Sequence, residues 1–221
     1  MRRKNWCGHE DQEGREITGT DGNDILHGTN GDDTIFSGLG DDVIYGKGGD
    51  DIITSHSGFF TDDDTVFGGK GNDTISVGRG EDVVDGGKGD DDIILNFREP
   101  AGPFTSPDGV DIVLFNYSSC GKSFGHDTVS DLQQDDALVF LDKSGRTDDL
   151  EDLAAKTRLV DVGENAYRIV WLKGDQSVTL NLDNLYLNFG QLPEDQVNWD
   201  DFTTLQELAT VLDFRFDYDF A

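Results

Sequence analysis

The chain has 221 residues, enough for one or two domains, with 46 acidic against 17 basic residues and a formal net charge of −29 at pH 7. Charge of that sign disfavours nucleic acid as a partner, because phosphate binding needs a basic patch, and charge of that size swells a chain that nothing neutralises. With two cysteines, Cys7 and Cys120, a disulfide-built scaffold is excluded; one bridge or two free thiols both fit the count.

Residues 1–16 are polar and lack periodicity, which predicts a flexible N-terminal arm. Met1-Arg2-Arg3-Lys4 begins as a signal peptide would, but Asn5, Trp6, Cys7, Gly8, His9 and Glu10 follow in place of an apolar run. Neither a Sec signal nor a membrane span is expected.

From Gly19 to Ile94 the chain repeats itself every nine residues. Gly-Thr-Asp-Gly-Asn-Asp-Ile-Leu-His at Gly19 to His27 is followed by Gly-Thr-Asn-Gly-Asp-Asp-Thr-Ile-Phe at Gly28 to Phe36. Eight copies can be aligned, one of them with a four-residue insertion between Ser55 and Phe67. Position six is Asp in every copy: Asp24, Asp33, Asp42, Asp51, Asp64, Asp73, Asp82 and Asp91. Position eight is aliphatic in every copy: Leu26, Ile35, Ile44, Ile53, Val66, Ile75, Val84 and Ile93. A fixed period of this kind marks a stacked repeat architecture.

Each copy divides into a Gly/Asp/Asn turn and a three-residue β-prone segment. Successive short strands must lie on opposite sides of a flattened coil, with copies n and n+2 stacked about 4.8 Å apart. One aliphatic per repeat is a thin core, and at roughly 25 cal/mol per Å² it cannot offset the ordering of nine residues. Stacking also brings the Asp carboxylates together, where they repel unless a cation lies between them. The stretch holds 18 acidic and 4 basic residues, a net of −14. Carboxylates and backbone carbonyls are hard oxygen donors that suit Ca²⁺ better than Mg²⁺, and the ligands Zn²⁺ prefers are missing from the pattern.

This pattern resembles the nonapeptide G-G-x-G-x-D-x-U-x of RTX proteins, a parallel β-roll that binds calcium. The resemblance implies an all-β fold: a β-roll over residues 17–142, regular over 19–94 and degenerate over 95–142, then a small β-rich cap over 143–200 with one or two short helices. It implies several Ca²⁺ ions, roughly four to six, held by the eight position-six carboxylates. Backbone carbonyls of the turns would complete each shell, at Gly22, Gly31, Gly46, Gly48, Gly49, Gly68, Gly69, Gly71 and Gly86. One edge of the roll would stack Asp33, Asp51, Asp73 and Asp91; the other would stack Asp24, Asp42, Asp64 and Asp82, with the first half of its inserted turn lacking the repeat's glycines. Folding coupled to calcium is expected, with the chain disordered in its absence.

Position-nine residues His27, Tyr45, Phe67 and Asp85 should line up on one outer face, either as a binding stripe or as simple cross-strand packing. After Ile94 comes a proline-containing loop from Glu99 to Pro107, then two weaker turns at Asp111 and Asp127, both candidate extra ligands. The run from His126 to Leu132 and on through Asp136 to Asp142 resembles the segment that closes the roll in serralysin-type C-terminal domains. Asp148 to Arg158 reads as a helix, with Asp148 and Glu151 as its capping pair. Leu159 to Val162, Ala166 to Leu172 and Ser177 to Leu182 read as strands, the last two forming a hairpin, and Thr203 to Leu212 reads as a last helix. Residues 201–221 end in alternating aromatic and charged residues. By resemblance this is a type I secretion signal; read locally it is an edge strand.

No enzyme is expected. Gly121-Lys122-Ser123-Phe124-Gly125 has the spacing of a hydrolase elbow, but His126 is the one histidine after Ser123, and a strand pattern follows where a helix belongs. The expected partners are calcium and a type I exporter, with the folded protein extracellular. An acidic polysaccharide or cell-surface partner, as for the modules of alginate epimerases, is an alternative. So is the C-terminal part of a secreted metalloprotease or lipase.

Overall fold

The computed structural model describes residues 13–55, 60–95, 109–116, 124–132, 136–141, 150–163, 166–172, 176–181 and 213–215. Each repeat contributes one short strand: β1 (Glu16–Thr18), β2 (Ile25–His27), β3 (Thr34–Phe36), β4 (Val43–Tyr45), β5 (Ile52–Thr54), β6 (Thr65–Lys70), β7 (Thr74–Ser76), β8 (Val83–Lys88) and β9 (Asp92–Ile94). Longer strands follow, β10 (Ile112–Asn116), β11 (His126–Ser130) and β12 (Ala137–Leu141), then helix α1 (Leu150–Lys156) and strands β13 (Thr157–Gly163), β14 (Ala166–Trp171), β15 (Ser177–Asn181) and β16 (Asp213–Arg215).

The strands alternate between two sheets, ordered β1-β3-β5-β7-β9-β11-β15-β14-β13 and β16-β12-β10-β8-β6-β4-β2. All pairings from β1 to β12 are parallel, so the fold is the expected parallel β-roll solenoid. The insertion does not disturb this order. Val43 pairs with Thr65 and Val66 with Val84, and Thr61 bridges Arg79, so the chain is back in register before Asp64. Beyond the regular repeats the same two sheets continue: β10 pairs β8, β11 pairs β9, and β15 adds parallel to β11 before turning antiparallel into β14 and β13.

Position eight faces inward throughout. Ile35, Ile44, Ile53, Val66, Ile75, Val84 and Ile93 are fully buried, and Val113, Val129 and Leu138 extend the same column. The expectation of one aliphatic per repeat holds only at the N-terminal end. Position one also turns inward on one edge, where buried Ser37 and Ser55 give way to Val77 and Leu95. Farther along, Phe115, Phe124, Phe140, Tyr167, Ile169 and Leu180 join the same cluster, so the core thickens toward the C-terminus.

Helix α1 is shorter than expected. Thr157 and Arg158 belong to β13, and the Thr157 hydroxyl donates to the Leu153 carbonyl at 2.8 Å where the helix ends. Asp148 and the helix expected at Thr203 to Leu212 lie outside the described residues. The start of the aromatic tail, β16, pairs parallel with β12 as a last strand. On the outer face His27, Tyr45 and Phe67 form the expected ladder, with ring centroids 5.0 and 5.1 Å apart. Their faces stack on one another, which leaves Tyr45 no open face for a sugar ring. That arrangement is what cross-strand packing alone produces.

Candidate metal centre

Each turn delivers its position-six Asp to a buried line along one edge of the roll. Asp33, Asp42, Asp51, Asp64, Asp73, Asp82 and Asp91 are at most 2% exposed, and Asp24, in the first turn, is partly buried. The carboxylates are wired in series, each Oδ1 accepting the backbone N–H of the Asp two turns earlier. On one edge Asp24 donates to Asp42 (2.8 Å), Asp42 to Asp64 (2.9 Å) and Asp64 to Asp82 (2.8 Å). On the other, Asp33 donates to Asp51 (2.7 Å), Asp51 to Asp73 (2.8 Å) and Asp73 to Asp91 (2.9 Å). Asp64 keeps its place although its turn lacks the glycines.

The second oxygens are a different matter. Oδ2 of Asp42, Asp51, Asp73 and Asp91 is buried and has no hydrogen-bond partner. An orphaned buried carboxylate oxygen is costly unless a cation or proton meets it. Burial, with nearby carboxylates adding, pushes Asp51 and Asp73 up to about 7 and Asp91 to about 6. Asp64 likewise rises to about 7.

The glycines explain how oxygens crowd together here. A Cβ on Gly46 would meet Asp51 Oδ2 and the Gly68 carbonyl oxygen, each at 2.5 Å; one on Gly68 would meet Asp73 Oδ2 and the Gly86 carbonyl at the same distances. Gly86 is set against Asp91 Oδ2 in the same way. The position-four glycines stack backbone on backbone: a Cβ on Gly71 would lie 2.0 Å from the Gly49 carbonyl, and one on Gly49 would lie 2.4 Å from Gly31. Gly69 stacks on Lys47, and Gly48 lies beside Lys70 at ordinary contact distance. Gly22 is the exception, with open space around it in the first turn.

Among the described residues no three His, Cys, Asp or Glu side chains converge. A cation here would therefore draw on carboxylates along each edge together with the backbone carbonyls beside them, an all-oxygen donor set. Ca²⁺, which takes six to eight oxygens at about 2.3–2.6 Å including carbonyls, fits that set.

Three more carboxylates extend the lines. Asp82 donates to Asp111 (3.1 Å), Asp111 to Asp136 (3.0 Å) and Asp91 to Asp127 (3.2 Å). Burial, with Asp91 next, pushes Asp127 up to about 9. The repeat pattern pointed to Asp111 and Asp127 but not to Asp136, although Asp136-Ala137-Leu138 keeps the Asp-x-aliphatic core of the repeat. A second, exposed ladder was also missed. Position five is Asn, Asp or Glu in every regular copy, and its side chain accepts the N–H of position five two turns later: Asp32 from Asp50 (2.9 Å), Asp50 from Asn72 (2.8 Å) and Asn72 from Asp90 (2.9 Å).

Oxygen-lined turns on both edges of a parallel roll form a repeat solenoid whose donor set suits a cation. Residues 18–53 and 60–93 match the RTX calcium-binding nonapeptide repeat, in four copies, so this part of the chain is built of such repeats. Among solved structures, the extracellular lipase LipA from Serratia marcescens aligns at 17% identity and a TM-score of 0.29, over 86% of this chain and 40% of the lipase. The AlgE6R3 subunit of the Azotobacter vinelandii mannuronan C5-epimerase aligns at 19% identity and a TM-score of 0.25, over 81% of this chain and 93% of that one. This chain therefore spans well under two thirds of the lipase. Among curated proteins no sequence matches it.

Proposed function

We propose that the chain is a non-catalytic module that leaves the cell unfolded through a type I exporter and closes into its roll in extracellular calcium. The observation that carries this reading is the set of buried Oδ2 atoms without partners at Asp42, Asp51, Asp73 and Asp91. Without a cation these oxygens oppose folding, and the N-terminal half of the roll has little apolar core to compensate. With several Ca²⁺ ions bound at these carboxylates and the turn carbonyls beside them, the same oxygens become ligands, and binding free energy becomes folding free energy. A net charge of −29 keeps the uncomplexed chain expanded, which suits passage through a narrow channel.

Far-UV circular dichroism of the full chain during a calcium titration, with magnesium as control, tests the folding step. A cooperative gain of β signal with calcium alone is expected. A β signal already complete in chelator would overturn it. Export is tested separately, by whether deletion of residues 201–221 abolishes appearance of the chain outside cells that carry the exporter.

A further inference from the structure

Six turns of the roll fall into two kinds, separated by residue two. In the first two turns position two is threonine. The Thr20 N–H donates to Oδ2 of its own Asp24 at 2.6 Å, and the Thr29 N–H donates to Oδ2 of its own Asp33. Both hydroxyls add a bond to the same carboxylate, Thr20 Oγ1 to Asp24 Oδ2 at 2.8 Å and Thr29 Oγ1 to Asp33 Oδ1 at 3.1 Å.

The turns of Asp42, Asp51, Asp73 and Asp91 differ. Their position-two residues have left-handed backbones: Gly38 at φ 111°, Lys47 at 80°, Gly69 at 118° and Gly87 at 103°. This conformation is open to glycine and strained for a β-branched residue such as threonine. In all four of these turns Asp Oδ2 is buried without a partner. In these four turns a left-handed position two and an open carboxylate oxygen occur together, in both threonine turns neither occurs, and the Asp82 turn, whose position-two Gly78 is not left-handed, belongs to neither group.

Lys47 strengthens the contrast. It and Asp131 are the non-glycine residues at positive φ among the described residues. The Lys47 ammonium donates to the Gly28 carbonyl at 2.7 Å, so a cation supplied by the protein already meets an oxygen of the second threonine turn.

We infer that threonine at position two keeps the first two turns from loading with calcium. The turns Gly19–Asp24 and Gly28–Asp33 form a metal-independent N-terminal cap, closed by Thr20, Thr29 and Lys47, and loading begins with the turns of Asp42 and Asp51. This rests on the calcium reading proposed above. An ion entering either threonine turn would have to displace two donors from the carboxylate, whereas in the turns of Asp42, Asp51, Asp73 and Asp91 it meets a bare oxygen. Terminal units of a repeat array need such self-satisfied polar groups; β2 is the last strand of its sheet, and the Gly28–Asp33 turn is covered by Arg15, whose N–H donates to Asp33 Oδ1 at 2.6 Å.

The test counts calcium bound to the full chain by equilibrium dialysis at saturating free calcium, followed by metal analysis. The double variant Asp24→Asn/Asp33→Asn keeps an acceptor for each threonine N–H and is expected to bind as many ions as the unmodified chain at a free calcium just sufficient to fill the unmodified chain, whereas Asp73→Asn, its site weakened about tenfold, binds fewer there. The double variant Thr20→Gly/Thr29→Gly is expected to gain one or two ions, and Thr20→Ser/Thr29→Ser to gain none. A lower count in Asp24→Asn/Asp33→Asn, or no gain in a folded Thr20→Gly/Thr29→Gly chain, overturns the cap. If the glycine variant does not fold, the asparagine variant decides alone. An unmodified chain that binds no calcium overturns the calcium reading and the cap together, while a chain that binds calcium and loses ions in Asp24→Asn/Asp33→Asn overturns the cap alone.

Discussion

The two edges of the roll share one nine-residue rule and differ at its first position. Along the edge leading into β3, β5, β7 and β9, position one is Gly28, Gly46, Gly68 and Gly86. Along the edge leading into β2, β4, β6 and β8 it runs Gly19, Ser37, Ser55 and Val77, and Leu95 follows. On the glycine edge the space of the missing side chain is filled by a carboxylate oxygen and a carbonyl oxygen. On the other edge that residue turns inward, and from Val77 onward it is core. An invariant Asp column therefore does not mean equal dependence on calcium. At position one the glycine edge brings oxygens together, while the mixed edge is increasingly held there by apolar contact.

Substitution at position one should separate the edges most sharply. Gly68→Ala places a Cβ 2.5 Å from both Asp73 Oδ2 and the Gly86 carbonyl, and neither can retreat without breaking the line. It is expected to cost about 3 kcal/mol, at the upper end for overpacking, and to abolish the calcium-induced β signal at millimolar calcium. Ser55→Ala, at the equivalent place on the mixed edge, should stay within about 1 kcal/mol by the same titration.

The glycine edge should also respond to pH. In the folded, metal-free roll burial pushes Asp51 and Asp73 up to about 7 and Asp91 up to about 6, against an ordinary carboxyl value of 3.8. The folded state then binds more protons than the unfolded one, so this contribution is fully present below 3.8 and is lost as pH rises through about 6 to 7. Calcium reverses the sign, because ion and proton compete for the same oxygens. The expected result is residual β signal in chelator that grows on acidification from pH 8 to 5, with a calcium midpoint that rises over the same interval. A midpoint independent of pH would remove these carboxylates from the site.

Charge removal is the next test in size. Asp73→Asn keeps an oxygen to accept the Asp51 N–H but weakens the ligand, and should raise the calcium midpoint about tenfold, or about 1.4 kcal/mol. Asp64→Asn, on the mixed edge and after the inserted turn, should raise it by less than about threefold, or about 0.7 kcal/mol. Equal shifts would mean that both edges load alike despite their different first positions.

Much of this was legible in the sequence. The period put position eight inside and position six in the turn, and those two facts fix the roll and both Asp lines. Asp64 shows the strength of the pattern, since its strand holds register across an insertion. What was not legible depends on backbone conformation. Ser37, Ser55, Val77 and Leu95 occupy a position that reads as turn, and only the stacked geometry shows that it faces inward on one edge. The threonines at position two look like tolerated variants of glycine, and their bonds to Asp24 and Asp33 emerge only when φ is known. Asp136 was overlooked because its turn has lost every glycine while keeping the Asp-x-aliphatic segment that sets the register.

The smallest expected effect isolates apolar packing from metal binding. Val77 is fully buried on the mixed edge, and its N–H donates to the Ile94 carbonyl at 3.1 Å, so truncating the side chain leaves the backbone ladder intact. Val77→Ala should cost about 1–2 kcal/mol from lost burial and the cavity left behind, read as a lowered urea midpoint. Because the change removes no ligand, bound calcium should be unchanged and the deficit should be the same at every saturating calcium concentration. Asp73→Asn should behave differently. The unmodified chain gains RT ln(1 + [Ca²⁺]/Kd) from a site that the variant has weakened, so the gap between the two widens as calcium rises toward the variant's own Kd. A Val77→Ala deficit that also grew with calcium would show that position one on the mixed edge shapes an ion site, and the two edges would then differ in degree and not in kind.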